Sequence, residues 1–229
     1  MTQSDTAWRA PIKLEDKAMN KYTLAIGDYA KSSWSMRAWL VLKAAEAPFE
    51  TVQVRLEQSE THANILRYSP SGKVPALILA DGVVNDSLAI AETVAETFPQ
   101  TGLWPSGAIQ RAKARAAAAE MHAGFVNLRT QMPFGVATGE RVGRILPDTQ
   151  REIERVFDIW RDLRTASGST TFLCGNFGIV DAMFAPVVFR FRRFGIDTPE
   201  DFKSHVAAVL HYPPVMEWLA LAEKESRAD

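Results

Sequence analysis

The sequence predicts an α/β unit followed by an all-helical half. Three observations carry this expectation. Strand and helix signals alternate in the order βαβ-α-ββ-α between residues 22 and 98. The stretch Pro99 to Gly107, PQTGLWPSG, then has turn composition, with two prolines and two glycines. Beyond it the apolar spacing is helical throughout, and no strand pattern stands out.

Each element has its own reason. Tyr22 to Ile26 is β-prone and runs into Gly27-Asp28. The serine cluster KSSWS precedes an apolar run, RAWLVLKAAE, that predicts an amphipathic first helix with Ser35 as its cap. Pro48 marks a break before a second strand, Phe49 to Arg55, in which Val52 and Val54 share a face opposite Thr51 and Gln53. Thr61 to Tyr68 reads as a short helix and SPSGKVP as a loop. Ala76 to Ala80, Asp81-Gly82 and Val83-Val84 form the strongest hairpin signal in the chain. A helix from Ser87 carries Leu88, Ala91, Val94, Ala95 and Phe98 on one side. In the second half, helices are expected over about 108–132, 148–165, 179–194 and 213–224. The organisation expected is an extension at 1–20, an α/β domain at 21–99, a linker at 100–107 and a helical domain at 108–229. The extension carries six charged residues and no apolar core, so it reads as disordered rather than as a signal peptide.

Bulk properties narrow the function. With 229 residues, 47% of them hydrophobic, the chain can bury sizeable cores. Lys and Arg number 26 against 27 Asp and Glu, and no basic tract follows a phosphate backbone, which argues against nucleic acid. The longest apolar run, Ala182 to Phe189, is too short for a bilayer, so no membrane is expected. One cysteine, Cys174, excludes an internal disulfide and points to a reducing, cytoplasmic setting, where it reads as a small buried hydrophobe. His62, His122, His205 and His211 lack metal-ligand spacing, so no metal is expected.

Chemistry concentrates at SSWSMR. A helix start offers free N–H groups and positive potential, which suit an anion, while the plain alternative is helix capping alone. Pro75 in GKVP stands just before a strand, where its missing N–H does no harm. Asp86-Ser87 opens a helix and fits both capping and the recognition of a group carrying an ammonium and a carboxylate. Asp181 is read as a capping residue of a buried helix whose cap position is held by Gly178.

Four blocks, SSWSMRAWL, GKVPALIL, NDSLAIAE and FGIVDAMFAP, resemble in order and spacing the glutathione transferase superfamily, most nearly its zeta class. The resemblance runs from about Tyr22 to Lys224. It implies a thioredoxin-like domain, an all-helical domain, glutathione as co-substrate, a small electrophile as second substrate, and a homodimer. It implies that Ser32, with Ser33 as neighbour and substitute, holds the glutathione thiolate for conjugation, as in detoxification, or for isomerisation. By the same resemblance a cis Pro75 turns the Val74 backbone toward the tripeptide, and Lys73, Asp86 and Ser87 meet its charged ends. Trp34, Met121, His122, Phe125 and Arg193 fall where the second substrate is handled, with Arg193 matching a carboxylate-holding arginine. Trp34 stands where the zeta pattern has Cys, Asp86 where Glu or Gln is usual, and Gly178 where Ser or Thr caps. Maleylacetoacetate isomerisation proper is one alternative, and a non-catalytic protein-binding relative is another.

Overall fold

The computed structural model describes residues 22–140 and 142–227. The extension expected at 1–20 lies outside them. The first half builds a four-stranded sheet of β1 (Tyr22–Ile26), β2 (Phe49–Gln53), β3 (Ala76–Ile78) and β4 (Val83–Val84), in the order β2-β1-β3-β4. β1 runs parallel to β2, with Tyr22 opposite Phe49, and antiparallel to β3, with Leu24 opposite Leu77. The parallel pair requires a crossover, which α1 (Ser33–Ala44) supplies; α2 (Thr61–Leu66) and α3 (Ser87–Thr97) complete a thioredoxin-like unit.

A short 3-10 turn, Pro99–Thr101, leads into the helices α4 (Ala108–Ala123), α5 (Val126–Gln131), α6 (Pro147–Ser167), α7 (Ile179–Phe194), α8 (Glu200–Leu210) and α9 (Pro213–Ser226). Two of these depart from expectation. The helix foreseen over 108–132 is broken at Gly124-Phe125, where Phe125 adopts φ 61° and buries its ring. The break is stabilised on both sides: Arg129 Nε donates to Gly124 O at 3.1 Å, and Glu152 accepts the Leu128 N–H at 2.7 Å. α8 was not foreseen. Its buried residues are Phe202, His205 and Val209, so a histidine occupies a core position and blunts the apolar periodicity.

α1 is not amphipathic in its setting. Every residue from Ser35 to Leu42 is buried, because α3 covers one side while α7 and α9 cover others. One apolar core therefore runs through both halves, joined by Trp39 against Trp218 at 5.5 Å between ring centroids. α7 is the inner helix of the second half, buried without interruption from Ile179 to Phe191. Its start explains a departure from the family pattern. Asp181 accepts from Gly178 N at 3.0 Å and from Leu173 N at 2.8 Å, whereas a Cβ on Gly178 would lie 2.6 Å from Leu103 O. Glycine stands at the cap because the Leu103 carbonyl occupies the space a side chain needs. Among the described residues no helix is long and apolar enough to cross a membrane, and no group of three metal-ligating side chains gathers.

Candidate functional site

The front of α1 is built from hydroxyls. The cap is Ser32 rather than Ser35: Ser32 Oγ accepts from Ser35 N at 3.3 Å and lies 2.8 Å from Ser35 Oγ. Ser35 sits one turn inside, where its Oγ accepts from Gly27 N at 3.0 Å and ties the helix to the end of β1. A chain of polar groups therefore runs from the Gly27 N–H through Ser35 Oγ to Ser32 Oγ. Ser33, the first helical residue, is buried, and its hydroxyl has no hydrogen-bond partner among the described residues.

The loop preceding these serines is held by the far end of the chain. Glu225 of α9 accepts from Tyr29 N at 3.2 Å and from Ala30 N at 2.9 Å, while Trp218 Nε1 donates to Tyr29 O at 2.9 Å. Motif reading pointed to neither residue. Each is an ordinary member of the α9 pattern, and only packing brings them to the loop.

The Val74–Pro75 peptide is cis, and Pro75 leads directly into β3. Among the described residues the backbone N–H and carbonyl of Val74 make no hydrogen bond. Lys73 is exposed on the same loop. Asp86 caps α3: its Oδ1 accepts from Leu88 N at 2.9 Å and Ala89 N at 3.3 Å, while Oδ2 lies 3.2 Å from His122 Nε2. Ser87 beside it is fully buried with an unpartnered hydroxyl.

His122 thus links α4 to the start of α3, and its ring also meets Trp34 at 5.2 Å, edge to face. Trp34, His122 and Asp86 form one continuous contact between the two halves. Met121 and Phe125 are buried core side chains. Arg193 is held elsewhere: its guanidinium pairs with Glu140, lies over the Phe194 ring at 5.4 Å and fills the space above Gly135. Among the described residues no contact joins Arg193 to the serines, Trp34 or Asp86. Arg37, which motif reading passed over, instead lies over the Trp34 ring at 4.6 Å.

Asp181 and Cys174 are among the groups of the helical half with strongly shifted acidities. Burial pushes the Asp181 carboxyl up to about 7 against the bonds it receives from Leu173 and Gly178. Burial followed by the Asp181 charge pushes the Cys174 thiol up to about 12, so the half-buried thiol stays protonated and unreactive.

Residues 31–97, which contain all three of the β-unit blocks, match the family model of the glutathione S-transferase N-terminal domain. Over those residues the chain is similar to glutathione S-transferases. A probable maleylacetoacetate isomerase from Caenorhabditis elegans is 36% identical over 84 residues, 37% of this chain and 38% of that protein. One from Vibrio cholerae is 27% identical over 188 residues, 76% of this chain and 84% of that protein. A crystal structure of a Burkholderia glutathione transferase homologue with bound glutathione superposes with a TM-score of 0.67, at 22% identity over 89% of this chain and 98% of that one. That likeness establishes the transferase fold here: the thioredoxin-like unit with the helical bundle behind α1.

Proposed function

We propose that this transferase homologue binds glutathione across the front of α1 and α3 and stabilises its thiolate through Ser32, for addition to, or isomerisation of, a small electrophile. The polar chain Gly27 N, Ser35 Oγ, Ser32 Oγ carries this reading. A thiol with a pKa of about 8.5 is only a few per cent ionised at neutral pH. Lowering that pKa by about two units takes roughly 2.7 kcal/mol. One hydroxyl bond to a charged acceptor supplies about 1.5–3 kcal/mol and a helix front about 0.3–1 kcal/mol, so no buried base is required.

Hydroxyl protons rotate to suit their partners. When a sulfur anion arrives, Ser32 turns its proton to sulfur and Ser35 turns its own to Ser32 Oγ, still accepting from Gly27. Each donor in such a chain polarises the next. Ser33, with no competing partner, is the second donor within reach of the same anion.

The rest of the tripeptide has counterparts. The Val74 N–H and carbonyl, unused among the described residues, suit the cysteinyl main chain. The orphan Ser87 hydroxyl and the α3 front suit the γ-glutamyl carboxylate. Asp86 Oδ2 suits the ammonium, which then shares it with His122. Lys73 meets the glycyl carboxylate. The electrophile approaches beside Trp34 and His122, and a homodimer belongs to the same proposal.

Retention on immobilised glutathione, followed by ultraviolet titration of the bound thiol, tests the reading. A bound thiol that ionises as it does in free solution overturns it. Chlorodinitrobenzene conjugation and maleylacetone isomerisation then separate the two reactions, and sedimentation tests the dimer.

A further inference from the structure

Arg37, Arg129 and Arg190 come from three helices, α1, α5 and α7, and converge where these meet. Arg37 is 0% exposed, and among the described residues none of its three guanidinium nitrogens has a hydrogen-bond partner. Arg190 is also buried and gives Nε to Met132 O at 2.9 Å and Nη1 to Pro186 O at 3.3 Å. Arg129 is half-buried and gives Nε and Nη2 to the carbonyls of Gly124 and Met121. Arg37 and Arg129 lie over the Trp34 ring at 4.6 and 4.8 Å.

Among the described residues no acid balances the charges of Arg37 and Arg190. Burial, then Arg129 and Arg190, push the Arg37 guanidinium well below its usual range, and burial with Arg129 pushes Arg190 down to about 9. Glu152 acts on Arg129, and its carboxylate already accepts from Asn127 N and Leu128 N. An indole face offsets part of one such charge. Guanidinium groups keep their protons, so a buried positive cluster remains, and at its centre the Arg37 N–H donors face no acceptor among the described residues.

We propose that Arg37, Arg129 and Arg190 form an anion seat that takes a small carboxylate. A guanidinium edge presents two parallel N–H groups at the spacing of two carboxylate oxygens, so Arg37 binds such a group bidentately. The same carboxylate neutralises charge on its two neighbours. Trp34 and Arg129, the half-buried members, form the outer wall. Arg37 follows Ser33 and Trp34 by about one turn on α1, which places the seat beside the serine cluster yet apart from it. It is also apart from Arg193, whose partner is Glu140. The seat stands whether or not Ser32 activates a thiol.

The test follows thermal unfolding and tryptophan emission of the full chain as sodium succinate or sodium acetate is added, with sodium fluoride holding ionic strength constant. A saturable rise in melting temperature and a saturable emission change are expected, with binding weakened by about tenfold or more in Arg37→Met. Arg129→Gln, at a half-buried position, shows the same weakening and serves where Arg37→Met does not fold. An effect linear in salt, no effect, or an equal effect in both variants overturns the seat. Additive stabilisation by succinate and glutathione supports it; loss of the succinate effect in saturating glutathione assigns the arginines to the tripeptide's own carboxylates and overturns a separate seat.

Discussion

Removing the Ser32 hydroxyl separates two roles of one oxygen. In the free protein Ser32 Oγ accepts from Ser35 N at 3.3 Å and lies 2.8 Å from Ser35 Oγ, so Ser32→Ala deletes the α1 cap, at about 1 kcal/mol of stability. Ser35 retains its bond from Gly27 N, so the loss stays local. If Ser32 holds the thiolate as proposed, the same change deletes a bond to a charged sulfur worth about 1.5–3 kcal/mol. That is about one to two pKa units on the bound thiol, or roughly three- to twenty-five-fold less thiolate at neutral pH, because a thiol lowered to about 6.5 is already mostly ionised there. Ser33→Ala deletes a hydroxyl without a partner among the described residues, so its stability should stay within about 0.5 kcal/mol of the parent while, on the proposed mechanism, the bound thiol still shifts. Thiolate absorbance against pH, with urea unfolding of the same samples, measures both effects. A Ser32→Ala, Ser33→Ala double variant whose bound thiol titrates like the parent's would refute the hydroxyl mechanism, whatever the unfolding curves show.

Gly178→Ser, which restores the family's usual cap, should destabilise by about 1–3 kcal/mol because its Cβ meets Leu103 O; denaturant unfolding checks this, and a neutral or stabilising result contradicts the steric account. Glu225→Ala removes the acceptor for Tyr29 N and Ala30 N; it should raise KM for glutathione more than it lowers kcat and cost about 1.5–3 kcal/mol of stability, and an unchanged KM would show that α9 does not position the loop. Burial holds His205 at about 4 against 6.5, with Nδ1 3.0 Å from Thr171 O, so between those values the unfolded chain binds more protons and stability falls as pH drops from 6.5 toward 4, by up to about 3 kcal/mol. Asp181, raised to about 7, acts in the opposite sense, its folded form holding a proton that the unfolded chain releases above 3.8, so stability falls as pH rises from 3.8 toward 7. The two largely cancel in the parent, so urea midpoints at pH 4.5 and 6.5 should lie close together there and shift toward greater relative acid stability in His205→Gln; identical pH dependence in both proteins contradicts the assignment.

Local chemistry determined much of this protein. Alternating β-prone residues set β1 at Tyr22–Ile26, Asp81-Gly82 set the hairpin, and Ser32, Pro75 and Asp86 stand where α1, β3 and α3 begin, as their types suggest. Such features are legible because turn residues, caps and periodicity act within a few residues of themselves. Tertiary packing decided the rest. Nothing near Ser32 in the chain says that Ser35 will tie it to Gly27, or that Glu225, almost two hundred residues on, will hold the loop before it. Histidine at a core position hid α8, and Phe125 in a left-handed turn broke a run of residues with good helix propensity. The arginines show the limit most clearly: Arg37 and Arg190 look like surface charges in the sequence, and only the packing of α7 against α1 and its neighbours withdraws them from water. Burial depends on which surfaces meet, and that depends on the whole chain at once.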